Sequence, residues 1–312
     1  MKAFTSLCLA LCLAAPLASA AEPDSCKLVR FADVGWTDIT MTTAVTRLVL
    51  GSLGYRTNVK RMSVPDTYRG LQDKRLDVFL GNWMPSMQND IKPYQDNGSV
   101  ETLRANLTGA KYSLAVPDYA YEGGLKSFAD IAKFAAKLDR KIYGIEPGND
   151  GNQLIGKMIK QNAFGLGQFQ LVESNEAKML ASVQRAQHLQ QWLVFLGWEP
   201  HPMNTRIKLR YLEGGDAVFG PDYGGATVYT NVRKGYAQEC GNVGKLLNNL
   251  EFSLAMENQL MDAVLNQNQN RRQAAKAWLK ANPQVLDAWL AGVVSSDGRP
   301  ALEVVRARLG LL

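Results

Sequence analysis

Apolar and polar positions follow two alternating rhythms along this chain. KLVRFADV (27–34) is a strand-like run that ends at Gly35, and TDITMTTAVTRLVLGSLG (37–54) reads as a helix stopped by Gly54. YRTNVKRMSV (55–64) predicts a strand, Pro65 to Lys74 a helix, and LDVFLGNW (76–83) a third strand, followed by a short helix and turn in PSMQNDIKPYQDNG. This βαβαβ order implies a parallel sheet. A second series starts near residue 111. KYSLAVP, KIYGIEP, FQLVES and WLVFLGW are strand-like, with helical segments FADIAKFAAKLD, GNDGNQLIGKMIKQNAFG and NEAKMLASVQRAQHLQQ between them. KLRYLEGG and GATVYTNV follow. The last third is helical, at about 243–250, 252–267 and within 271–292.

The pattern predicts two α/β units, the second inserted into the first: residues 21–110 and 216–312 form one lobe and 111–215 the other. No 20–50-residue repeat and no low-complexity segment is visible.

The first twenty residues read as a secretory signal, with Lys2, the apolar LCLALCLAAPLA and the small-residue site Ala18-Ser19-Ala20. No cysteine directly follows the small residues, so a lipid anchor is not expected. The remaining chain is expected in the periplasm. Cys8 and Cys12 leave with the signal. Cys26 and Cys240 remain, and in an oxidising compartment they read as one disulfide tying the mature N-terminus to the C-terminal part.

Hydrophobic content of 46% fits a sizeable core, and the net charge of +6 is spread without a run of five basic residues. That is the pattern of a solvated surface, so no nucleic-acid partner is expected. Only two histidines, His188 and His201, are present, which disfavours a zinc or histidine-based centre. No G-x-S-x-G, H-E-x-x-H or Walker sequence occurs, and GLGQFQ lacks the third glycine of a dinucleotide loop. We therefore expect no enzyme activity, no cofactor and no metal. The runner-up, an enzyme, lacks a visible nucleophile and base. Glu199 and His201 lie in a proline-bounded turn better explained as structure.

Three of six tryptophans stand where strands end: Trp36 in GWTD, Trp83 in GNWMP and Trp198 in GWEP. Ligands in open α/β sheets bind beyond the carboxyl ends of strands. One such tryptophan could cap a core. Three facing one another would make a box of π-faces suited to a quaternary ammonium, whose charge no hydrogen bond can meet. Asp38 reads either as a helix-dipole partner or as a carboxylate near the ligand. Asn149 reads either as a helix cap or, with the adjacent N–H groups, as a holder of a ligand hydroxyl or carboxylate.

FADVGWTDIT, VFLGNWMPSM, GAKYSLAVP, YGIEPGNDGN and VFLGWEPHPMN, in this order, resemble the substrate-binding proteins of ABC importers for choline and related quaternary amines. The resemblance runs from about residue 26 to 310. It implies a two-lobed periplasmic-binding-protein fold (type II-like), each lobe a mostly parallel sheet flanked by helices, with a hinge between them. It implies an aromatic box of Trp36, Trp83, Tyr112 and Trp198, polar contacts from Asp38 and Asn149, a monomer, and transient docking on a membrane permease. An acidic Asp38 favours choline over glycine betaine; carnitine stays open, because Asn149 could receive an anion, and a hydrolase of choline esters is the enzyme alternative.

Overall fold

The computed structural model describes residues 22–311, so the expected signal segment lies outside the described residues. Numbering helices of nine residues or more, the chain runs β1 (Leu28–Asp33), α1 (Thr37–Ser52), β2 (Arg56–Arg61), α2 (Val64–Gln72), β3 (Val78–Met84), α3 (Gln88–Asp96) and β4 (Val100–Pro117). It continues through β5 (Lys141–Tyr143), α4 (Asp150–Lys160), β6 (Gln170–Val172), α5 (Glu176–Leu189), β7 (Val194–Glu199), β8 (Leu209–Tyr211) and β9 (Gly225–Arg233). The C-terminal helices are α6 (Gly241–Asn249), α7 (Leu254–Leu265), α8 (Arg271–Ala281) and α9 (Ala301–Leu309).

The strands join in the order β2-β1-β3-β9-β4-β7-β5-β6, with β8 paired to β4. At the two ends the pairing is parallel, as the alternating pattern predicts: β1 with β2 and β3, β5 with β6 and β7. In the middle it is antiparallel, because β4 and β9 run through the centre of the order against their neighbours. The sheet is thus mixed. Its centre departs from the parallel expectation because β4 is 18 residues long and starts at Val100, well before KYSLAVP. Its first part pairs only with β9, and its last part with β7 and β8. VETLRANLTG is too polar to stand out as a strand, and tertiary pairing with β9 overrides that weak local signal.

The chain leaves the β1–β3 side along β4 and returns along β9, after which α7, α8 and α9 pack on α1. The expected helical stretch 271–292 breaks at Asn282-Pro283, since proline cannot donate to the preceding turn. Cys26 and Cys240 form a disulfide with Cα atoms 5.4 Å apart, fastening the start of β1 to the segment before α6. Behind it, Arg233 and Arg30 both bind the buried Asp77, at 2.8 and 2.6 Å, so a charge inside this side of the core is met from two directions.

Candidate functional site

Four aromatic side chains from four elements meet where the two ends of the sheet face each other. Trp36 is the N-cap residue of α1, and Trp83 is the penultimate residue of β3. Tyr112 and Trp198 are direct register partners across β4 and β7. All four are less than 7% exposed. With Asp38, Ile145 and Asp150 they line one cavity. The Trp83 and Tyr112 rings lie 6.1 Å apart at 57°, and Tyr112 meets Phe219 edge-on at 6.0 Å. Both Met84-Pro85 and Glu199-Pro200, which follow the two strand-end tryptophans, are cis.

The polar groups divide into two layers. Asn149 is the N-cap of α4, and its Oδ1 accepts from Asn152 N–H (3.0 Å) and from the Tyr112 hydroxyl (2.9 Å). Its Nδ2 donates to Asp150 Oδ1 at 3.0 Å. Asn149 therefore stands one layer behind the cavity wall, orienting Tyr112 and Asp150. Gly151 has a steric reason here: a Cβ at this position would collide with the Tyr112 hydroxyl. The wall itself carries Asp38 and Asp150, whose Oδ1 and Oδ2 respectively are buried with no hydrogen-bond partner. Burial, reinforced by Glu176, pushes Asp38 up to about 8. Burial pushes Asp150 up to about 7, against the opposing effect of the Ser86 hydroxyl. Glu257, fully buried on α7, is raised by burial and by the nearby Asp38. Such a site is short of positive charge.

Hydrogen bonds cross the cleft between the two ends of the sheet. Trp36 Nε1–H donates to Glu146 Oε1 at 2.6 Å. The Thr37 N–H and hydroxyl donate to the two Glu176 oxygens at 2.8 and 2.6 Å. Gln153 Nε2 donates to Asp90 Oδ1 at 3.1 Å. Glu176 is held from its own side by His201. Met203 N–H donates to His201 Nδ1 (2.9 Å), which leaves Nε2 to carry the proton and donate to Glu176 Oε1 at 3.2 Å. His201 is thus a buried structural donor, as its proline-bounded turn predicts, and the molecule is in a closed form.

The structure brings Trp36, Asp38, Trp83, Tyr112 and Trp198 to the cavity and sets Asn149 behind them. Sequence reasoning missed Ile145 and Asp150 as lining residues. Asp150 lay in the quoted turn, one residue beyond Asn149, but an acidic residue in a first helical turn has an ordinary dipole explanation. Tyr112 escaped the strand-end rule because β4 runs antiparallel and offers it from its middle.

A family model for the substrate-binding domain of ABC-type glycine betaine transport systems (OpuAC) matches residues 27–281. The chain belongs to this family. Among solved structures, an ABC-transporter choline binding protein in complex with choline is 58% identical, with a TM-score of 0.92, covering 93% of this chain and all of that one. An ABC-transporter choline binding protein in an unliganded semi-closed conformation is also 58% identical, with a TM-score of 0.86, covering 92% of this chain and all of that one. Among characterised relatives, the glycine betaine/carnitine transport binding protein GbuC of Listeria monocytogenes is 28% identical over 162 residues, 52% of this chain and 53% of that protein. The fold is the mixed α/β, two-lobed architecture of periplasmic binding proteins, and the OpuAC family is one of transport proteins. The higher TM-score against the liganded structure fits the cross-cleft bonds of Trp36 and Thr37.

Proposed function

We propose that this protein captures choline, or a closely related quaternary ammonium compound, in the periplasm and delivers it to the permease of an ABC importer. The observation that carries this reading is one cavity lined by four aromatic rings and two buried carboxylates with unpartnered oxygens. A trimethylammonium group gives each ring face a cation–π partner, worth up to about 2 kcal/mol when desolvated. Its methyl groups bury apolar area at the same time. The positive charge favours the ionised forms of Asp38 and Asp150, which a neutral ligand would leave largely protonated. A zwitterion such as glycine betaine or carnitine would bring its own carboxylate near them, and like charges at short range repel. The 58% identity to a choline binding protein supports the same choice.

In this reading residues 21–110 and 216–312 form one lobe and 111–215 the other. Trp36, Asp38 and Trp83 come from the first, and Tyr112, Asp150 and Trp198 from the second, with Asn149 behind them. Ligand favours the closed state because only closure brings both sets onto the cation. Binding then needs no bond-making, and the closed protein is what the permease recognises. Calorimetric titration with choline, acetylcholine, glycine betaine and carnitine tests the reading. Choline should bind at one site and more tightly than either zwitterion; tighter binding of glycine betaine would refute the assignment.

A further inference from the structure

A second cleft lies away from the aromatic cavity, between the outer face of α1, the edge strand β2 and the C-terminal helices. It encloses about 750 Å3. Its walls follow the two backbone periods. Ala44, Leu48 and Gly51 share one face of α1, and Thr57, Val59 and Arg61 alternate along β2. The first turn of α8 and the end of α9 close it. Nothing occupies the space beside Gly51, where an added Cβ would meet no atom within 4 Å.

The charge on this cleft is one-sided. Arg47, Arg61, Arg271, Arg272, Lys276 and Arg308 line it, against a single carboxylate, Asp33. Asp33 is occupied: it accepts from Gly35 N–H at 2.7 Å and from the Thr40 hydroxyl at 2.9 Å. Among the described residues none of the six cations has a salt-bridge partner. Arg47, half-buried, makes one side-chain hydrogen bond, from Nε to Thr57 Oγ1 at 2.9 Å. Burial and the neighbouring Arg272 both act against its charge. Folding has gathered like charges from four elements around one cleft, an arrangement that costs free energy unless an anion offsets it. The Arg61 guanidinium lies against Gly35, where a Cβ would overlap it, so the inner end of the cleft reaches the back of the Trp36 turn.

We infer that this cleft is an anion-binding site for a phosphate-bearing ligand, held between Arg47 on α1 and Arg272 on α8. A tetrahedral dianion accepts donors from several directions at once, and guanidinium forks match its oxygens bidentately. The first turn of α8 adds the favourable end of a helix dipole. The apolar strip of Ala44, Leu48 and Val59 leaves room for an organic body beside the phosphate. The ligand is either a soluble phosphate compound or the headgroup of an anionic lipid.

The test uses the mature chain without choline, at low ionic strength. One arm titrates pyrophosphate by calorimetry, with citrate as a carboxylate of comparable charge. The other measures co-sedimentation with vesicles of phosphatidylglycerol in phosphatidylethanolamine. Pyrophosphate binding at one site, weakened at least about tenfold in R47Q/R272Q, supports a soluble ligand. Vesicle binding that the same variant loses, without pyrophosphate binding, assigns the lipid source. R271Q/K276Q, two exposed positions, serves if the first variant does not fold by circular dichroism. Absence of binding in both arms, binding unchanged in a folded variant, or citrate binding as tightly as pyrophosphate overturns the proposal. None of these readouts depends on the aromatic cavity.

Discussion

Trp36 and Glu146 are joined across the cleft by a 2.6 Å hydrogen bond from the indole N–H to a carboxylate oxygen, although they stand 110 residues apart. One wall of the aromatic cavity is therefore fixed by a residue from the opposite side of the molecule. The bond holds the edge of the ring while its face lines the cavity. In the proposed function, closure and assembly of the box are then the same event.

Replacing Glu146 by Ala removes a charge-assisted bond that joins the two sides of the cleft. Such bonds are worth about 1.5–3 kcal/mol, so choline affinity should fall by roughly ten- to a hundredfold. The melting temperature of the ligand-free protein should change little. Calorimetry reads the first quantity and a thermal scan the second. Undiminished affinity would mean that the Trp36–Glu146 bond is not part of the bound state.

Trp198→Ala removes one complete wall, and its register partner Tyr112 cannot turn to replace it because Asn149 holds its hydroxyl. A loss of about 2 kcal/mol corresponds to a fall in affinity of about thirtyfold. Tryptophan emission should also respond to choline in the parent protein and less in the variant. Parent-like affinity would remove Trp198 from the box.

Affinity for a cation should rise with pH. In the closed, ligand-free protein Asp150 titrates at about 7 and Asp38 at about 8, both raised by burial. A raised carboxylate pKa stabilises the folded state at low pH, and that contribution is lost as pH rises through the folded value. A bound cation favours the ionised forms and so lowers both values. Choline binding then releases protons below about pH 8, and affinity should increase at least tenfold between about pH 5.5 and 8.5. Asp150→Asn should flatten the lower part of this profile. Titrations across this range that give one constant affinity would contradict the prediction.

Asp38→Asn keeps the shape of the site and removes its charge. Choline affinity should fall more than tenfold, while glycine betaine, relieved of a like charge, should bind no worse than to the parent protein. Competition titrations with both ligands decide this. An equal loss for both would show that Asp38 acts through structure rather than charge.

The Cys26–Cys240 bridge closes a loop with a sequence separation of 214. Removing a bridge of this kind should lower unfolding free energy by about 2–5 kcal/mol. Urea melts with and without reductant measure it. Mass spectrometry of the unreduced mature chain should find no free thiol.

The sequence alone determined a good deal. The apolar runs 27–34 and 76–83 and the helix 37–54 fall within a few residues of β1, β3 and α1, because a fully buried strand and a glycine-stopped helix announce themselves locally. Trp36, Trp83 and Trp198 were legible as candidate residues of one cavity because each lies at or just beyond a strand end, where this class of fold opens to ligands. The two cysteines left by the expected signal cleavage pointed to one another by elimination.

The remainder rested on contacts far apart in sequence. The polar first half of β4 is a strand because β9 pairs with it, and Tyr112 reaches the cavity because β4 runs antiparallel. Asp150 has the look of an ordinary helix-start acid until burial leaves one of its oxygens without a partner. The basic residues show no clustering along the chain, yet helices α1, α8 and α9 and strand β2 gather six of them around one cleft. Local patterning records which residues must be buried and where the chain must turn. Which buried charges face each other, and across what space, depends on how distant segments pack, and only the tertiary structure decides that.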